Sequence, residues 1–168
     1  MTEHTDAGQG QTQDMSASDM SGSPGPTPVR HRNDDEVMRR LLGTPGRWAV
    51  VGLSGNRTRV AYGIAHYLQA TLGMRIVPVH PNAEEVHGEP GYANLDTVPG
   101  PIDVVDVFVR SELAGPVVDQ AIAVGARAVW LQLGVIDETA AARAAAAGLD
   151  VVMDTCPAIE APRLGVVR

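Results

Sequence analysis

The sequence predicts an α/β fold: a doubly wound parallel sheet of five strands with helices on both faces. Three observations predict it. Short runs rich in valine and isoleucine alternate with segments of helical apolar spacing from residue 47 onward. The runs are apolar almost without a break, as strands buried on both faces are. Each run ends in a glycine or polar loop that leads toward the next helix, and such alternation builds parallel sheets. Right-handed crossovers with one reversal give the strand order 3-2-1-4-5.

Residues 1–32 stand outside this pattern. They are rich in Gly, Ser, Thr, Gln, Asp and Pro and nearly free of aliphatics. Such a segment buries too little apolar surface to offset its ordering entropy, so a disordered tail is expected there. Residues 33–168 are expected to form one folded domain. Asn33 is the expected N-cap of a first helix, with acidic residues 34–36 suited to its start and Gly43 to its end. The run 47–52, RWAVVG, is the first strand. Val60, Ile64, Tyr67, Leu68 and Leu72 share one helical face, closed by Gly73. The second strand, MRIVPVHP, contains Pro78, which removes a ladder donor. A long loop, 82–101, precedes the third strand at IDVVDVFV. Ser111 is the expected cap of the following helix. RAVWLQLG is the fourth strand, Asp137 and Gly148 bracket an alanine-rich helix, and DVVMD is the fifth strand. The remaining tail is expected to pack back across the domain.

Composition removes several function classes. Net charge is −7, which argues against a nucleic-acid or anionic-membrane binder. No apolar run approaches the ~20 residues of a membrane span, and the N-terminus lacks the pattern of a signal peptide. A single cysteine excludes an intrachain disulfide framework. The expectation is a cytoplasmic protein. All 13 basic residues are arginines. Without lysine there is neither a Schiff base nor a Walker-type phosphate loop, so any phosphate is held by arginine, hydroxyls and backbone N–H groups.

In doubly wound sheets ligands bind beyond the carboxyl ends of the strands, at the switch point. The first such end, AVVGLSGNRTR, departs from the dinucleotide fingerprint G-x-G-x-x-G: Ser54 and Arg57 replace its second and third glycines. Gly52 permits the turn, Ser54 offers a hydroxyl, and Arg57 and Arg59 suit phosphate. A cation at a helix start, as at Arg59, is unfavourable without an anion. The second end, VPVHPN, lacks the carboxylate that binds a dinucleotide ribose, and Glu84 and Glu85 are expected to face solvent. The third end places Phe108 beside Arg110. The fourth carries Gln132 at its tip and Gly134, where backbone can approach a ligand. Asp106 is expected to satisfy backbone groups. Cys156 has no sequence neighbour that would activate it. His80 and His87 flank Glu84 and Glu85 at a spacing that matches no metal site. No catalytic constellation and no metal site emerge.

These pieces resemble the small CoA-binding proteins, similar to the nucleotide-binding domain of the succinyl-CoA synthetase α-subunit. VVGLSGNRTR, VPVHP, GYANLDTVP, DVVDVFVRSE, AIAVGARAVWLQLGV and AGLDVVMDTCPAIE carry the resemblance, from about Trp48 to Glu160. It implies a Rossmann-like fold and coenzyme A or an acyl-CoA as ligand. By motif it assigns Gly52, Leu53, Ser54 and Arg59 to the first CoA-contacting loop. Val79, His80 and Pro81 are assigned to the nucleotide side. Phe108, Val109, Arg110, Gln132, Leu133 and Gly134 go to the pyrophosphate or pantetheine arm. Val60 and Ala61 stand where proline and serine are usual, and Thr155 where arginine is. The synthetase's phosphorylated histidine belongs to a second domain that this chain is too short to contain. The expected function is therefore a non-catalytic CoA or acyl-CoA module. The alternatives are a CoA-holding subunit of a two-component ligase or acyltransferase, with a partner protein, and a thiol protein forming a mixed disulfide with CoA through Cys156.

Overall fold

The apolar runs form strands at the expected places. The computed structural model describes residues 29–167. In chain order these form α1 (Asp35–Gly43), β1 (Arg47–Val51), α2 (Val60–Ala70), β2 (Arg75–Val79), a turn of 3-10 helix (Leu95–Thr97), β3 (Val104–Val107), α3 (Ser111–Ala123), β4 (Ala128–Leu131), α4 (Glu138–Ala146), β5 (Asp150–Val152) and α5 (Pro157–Arg163). Every strand pair is parallel. Residues 1–28 of the expected tail lie outside the described residues. Just past them, His31 N donates to Glu138 Oε2 at 2.7 Å, so the chain already touches the domain before Asn33.

Period-two alternation along the strands sorts the core into two layers. Ala49, Val77, Val105, Val107, Val129 and Leu131 face α3 and α4. Trp48, Val50, Ile76, Val104, Trp130 and Val152 face α1, α2 and α5. Trp48 and Trp130 are fully buried with ring centroids 5.7 Å apart. On area grounds each stabilises the fold by about 4 kcal/mol.

The strand order is 2-1-3-4-5, not the expected 3-2-1-4-5. The reason lies in residues 80–103. The expected order needs β3 on the outer edge of β2. That place is taken by Tyr92, whose N donates to Pro78 O at 2.9 Å and whose O accepts from His80 N at 3.0 Å. No α-helix follows to cover the sheet there. Leu95, Val98 and Ile102 instead pack into the α3–α4 layer and carry the chain back to the far side of β1. The same edge accommodates Pro78. Its carbonyl points outward to Tyr92, so the N–H it lacks faces away from β1.

Two caps also differ from expectation. Asp34, not Asn33, caps α1, accepting from Glu36 N at 2.8 Å. Asn33 instead bonds Met153 in both directions, Nδ2 to O at 2.8 Å and Oδ1 from N at 2.9 Å. Arg110, not Ser111, is the N-cap of α3. Ser111 Oγ ties down the segment after β4, donating to Gly134 O and accepting from Ile136 N at 3.0 Å. Asp137 caps α4 as expected, accepting from Ala140 N at 2.9 Å. The tail after β5 forms α5, which packs on α1 and α2.

Candidate functional site

The corrected strand order moves the site. β1 now lies between β2 and β3, so the reversal falls between β1 and β3. Residues 108–110 therefore stand directly beside the 52–59 loop instead of two strands away. Gly52 shows how close the two are. It adopts φ +100°, and a Cβ on it would stand 2.4 Å from Phe108 O. Only glycine fits there.

Beyond Gly52 the loop holds itself. Ser54 Oγ accepts from Asn56 N at 3.3 Å, which leaves its own hydrogen to donate. Asn56 Oδ1 accepts from Thr58 N at 3.0 Å and from Thr58 Oγ1 at 2.7 Å. Arg57 and Arg59 are exposed, and neither side chain makes an ion pair or hydrogen bond among the described residues. Arg59 is the N-cap of α2 and Arg110 of α3, and neither helix has a side-chain cap. Arg110 is exposed and likewise has no side-chain partner among the described residues, so orphan N–H groups and three such guanidiniums lie at the switch point, where both favour an anion.

The other assigned residues divide between surface and core. Phe108 is half-buried against the α2 layer and Val109 against the α3 layer. His80 is half-buried and its Nδ1 accepts from Asn82 N at 3.2 Å, which puts the ring proton on Nε2. Pro81, Leu133 and Gly134 are exposed. Leu53 and Val79 are core residues and offer a ligand only main chain. Gln132 is not a polar tip: it is 4 % exposed, and its Nε2 donates to Asp106 Oδ1 at 2.5 Å.

Asp106 does not satisfy backbone groups, as the sequence suggested. It is fully buried beside Trp130 on β4, and its Oδ2 has no partner among the described residues. Burial pushes its pKa up to about 8 despite the Gln132 hydrogen bond, so it is a neutral acid at pH 7. Strand parity carries the signal for this pair. Asp106, Trp130 and Gln132 lie at even positions on neighbouring strands and so share the α2–α5 face.

Glu84 is exposed, as expected, but it also reaches back to the first loop. Its Oε2 accepts from Gly55 N at 2.7 Å. Cys156 is the N-cap of α5, which its sequence neighbours did not reveal. Burial pushes its thiol pKa up and outweighs the amides of Ala158 and Ile159; nearby Asp106 and Glu160 push the same way. The thiol is thus not an activated nucleophile. Thr155 is buried and donates to Glu160 Oε1 at 2.6 Å. His66 is exposed on α2, and its ring stands 5.3 Å from that of His87. Among the described residues no cluster of His, Cys, Asp and Glu could hold a metal ion.

The family model described as a CoA binding domain matches residues 46–162. An uncharacterized protein of Bacillus subtilis (strain 168), YneT, is 34% identical over 119 residues, covering 71% of this chain and 87% of that protein. A solved hypothetical protein from Pyrococcus horikoshii OT3 is 36% identical, with TM-score 0.73 over 79% of this chain and 92% of its own. A dinucleotide forming acetyl-coenzyme A synthetase 1 of Ca. Korarchaeum cryptofilum shares the fold at 24% identity and TM-score 0.60. That match covers 68% of this chain and 26% of the synthetase.

Proposed function

The chain belongs to the CoA-binding domain family, and from that premise we propose that it is a binding module for coenzyme A or an acyl-CoA, with no chemistry of its own. One observation carries the reading: the two helices beside the β1–β3 reversal each begin at an arginine whose side chain has no partner among the described residues, and neither has a side-chain cap. CoA brings a pyrophosphate and a ribose 3′-phosphate, which fit that donor set. In this reading Gly52, Ser54 and Arg59 take one phosphate. His80 and Pro81 border the nucleotide, while Phe108, Val109 and Arg110 meet the pyrophosphate. Leu133 and Gly134 lie along the pantetheine arm. Leu53, Val79 and Gln132 support from beneath.

Calorimetric titration tests the reading. CoA is expected to bind more tightly than dephospho-CoA, and dephospho-CoA more tightly than NAD. Equal affinity for CoA and NAD overturns it. Arg59→Ala is expected to weaken CoA binding by roughly 1–3 kcal/mol, the loss of one charge-assisted phosphate contact.

A second reading makes the module a subunit that holds acyl-CoA for a partner chain's catalysis. Val60 at the start of α2, Leu133 after β4 and Ile159 in α5 favour it, being apolar yet 71%, 63% and 52% exposed. Co-purification with a ligase or acyltransferase chain supports this reading; a monodisperse protein that captures none opposes it. The mixed-disulfide reading is disfavoured by the buried, unactivated Cys156 thiol. Intact mass after incubation with CoA disulfide decides it, and an unchanged mass excludes it. No helix among the described residues is long and apolar enough to cross a membrane.

A further inference from the structure

The segment after β2 brings a carboxylate to the loop that the proposed reading gives to phosphate, and the fold fixes where that segment lies. Tyr92 is bonded to both Pro78 and His80. Ala83 N donates to His80 O at 2.8 Å, closing a turn in which Ala83 itself has φ +49°. Gly91 packs so tightly on this turn that a Cβ there would stand 2.0 Å from Glu84 O. Val86 is buried and exchanges backbone hydrogen bonds with Glu89. Held in this way, Glu84 reaches Gly55 N with Oε2 at 2.7 Å, while Oε1 accepts from Asn82 Nδ2 at 3.4 Å. Gly55 is matched to the contact, since a Cβ on it would stand 2.7 Å from Oε2.

We propose that Glu84 determines the specificity of the site by competing, within the chain, for the position of a ligand phosphate. The proposal rests on the reading of this site as a CoA site. The carboxylate is seated on a backbone N–H of the 52–59 loop, not on Arg57 or Arg59, which have no side-chain partner among the described residues. A phosphate drawn to those arginines meets a like charge already holding the Gly55 amide. The two anions repel, and one N–H cannot serve both. A phosphate ligand must displace Glu84, so the empty site rejects weak single anions and yields to a ligand with several phosphates. A ligand without phosphate is indifferent to residue 84.

The test compares Glu84→Gln with Glu85→Gln in the full chain, by calorimetry with CoA, pyrophosphate and pantetheine. Glutamine keeps the length and an acceptor oxygen for Gly55 while removing the charge. The Glu85 variant makes the same charge change at a likewise exposed neighbour that has no hydrogen bond to the 52–59 loop among the described residues. Glu84→Gln is expected to bind CoA and pyrophosphate about tenfold more tightly than wild type, the difference between a charged and a neutral acceptor. Glu85→Gln is expected to stay within about twofold, and pantetheine binding is expected to be the same in all three proteins. The Gly55 amide resonance is expected to move in Glu84→Gln and not in Glu85→Gln. A Glu84→Gln protein that binds pyrophosphate no better than Glu85→Gln, or an unmoved Gly55 resonance, overturns the competition. If no protein binds CoA but Glu84→Gln gains affinity for pyrophosphate, the CoA reading falls and the competition stands.

Discussion

The strand ends of β1 and β3 differ from those of β4 and β5. At β4 and β5 the protein supplies its own partners. Asp154, held at φ +58°, accepts from Gly134 N at 2.8 Å, Asn33 completes the edge at Met153, and aspartates cap α1 and α4. At β1 and β3 the helices start on arginines with no side-chain cap; α5 after β5 also has none, but it starts on Cys156, which carries no positive charge. Aspartate at a helix start is stabilising by itself, whereas arginine there is unfavourable until an anion arrives. The β4 and β5 ends thus hold more of their own partners, and the β1 and β3 ends offer the positive donors that the proposed ligand's phosphates would use.

Three substitutions test that contrast. Gly52→Ala is expected to have the largest effect, about 3 kcal/mol or more of lost stability, because φ +100° and the approach of Phe108 O both exclude a Cβ. Thermal denaturation checks it, and CoA binding is expected to vanish with the displaced loop. Asp106→Asn comes next, read as a change in pH dependence. The folded pKa of Asp106 is about 8 against an ordinary 3.8. Between those values the folded state holds a proton that the unfolded chain has released. Its contribution to stability therefore falls as pH rises through the window and levels off above it. Asp106→Asn removes this slope, which denaturant midpoints at pH 5 and pH 8 measure. Asn33→Ala is the smallest, costing about 2 kcal/mol as Met153 N and O lose their partner. Calorimetry is expected to find its CoA affinity unchanged. A loss of CoA affinity in Asn33→Ala as large as in Arg59→Ala would erase the distinction between the regions.

What the sequence made legible is what local pattern controls. Apolar runs located the five strands, Asp137 and Gly148 bracketed their helix, and Gly52, Arg59 and Arg110 marked strand ends that the fold brings together. The strand order was hidden because it turns on where the stretch between β2 and β3 packs. Tyr92 takes the outer edge of β2, and nothing in the polar stretch 82–101 announces that pairing. Side-chain direction was hidden for the same reason. Gln132 turns inward because Asp106 is buried on the neighbouring strand, and Glu84 turns back because the turn at Ala83 aims it at Gly55. These are contacts between residues 26 and 29 positions apart, beyond the reach of periodicity or capping rules. The family resemblance assigned residues to one end of the sheet but did not show that some of them, such as Leu53 and Val79, are core.

The amide spectrum of the protein titrated with CoA tests the contrast most directly. Shifts are expected to concentrate in residues 52–59, 80–81, 108–111 and 133–134, while Asn33 and Met153 stay in place. Shifts centred on Asn33 and Met153, with residues 52–59 unmoved, would contradict that contrast.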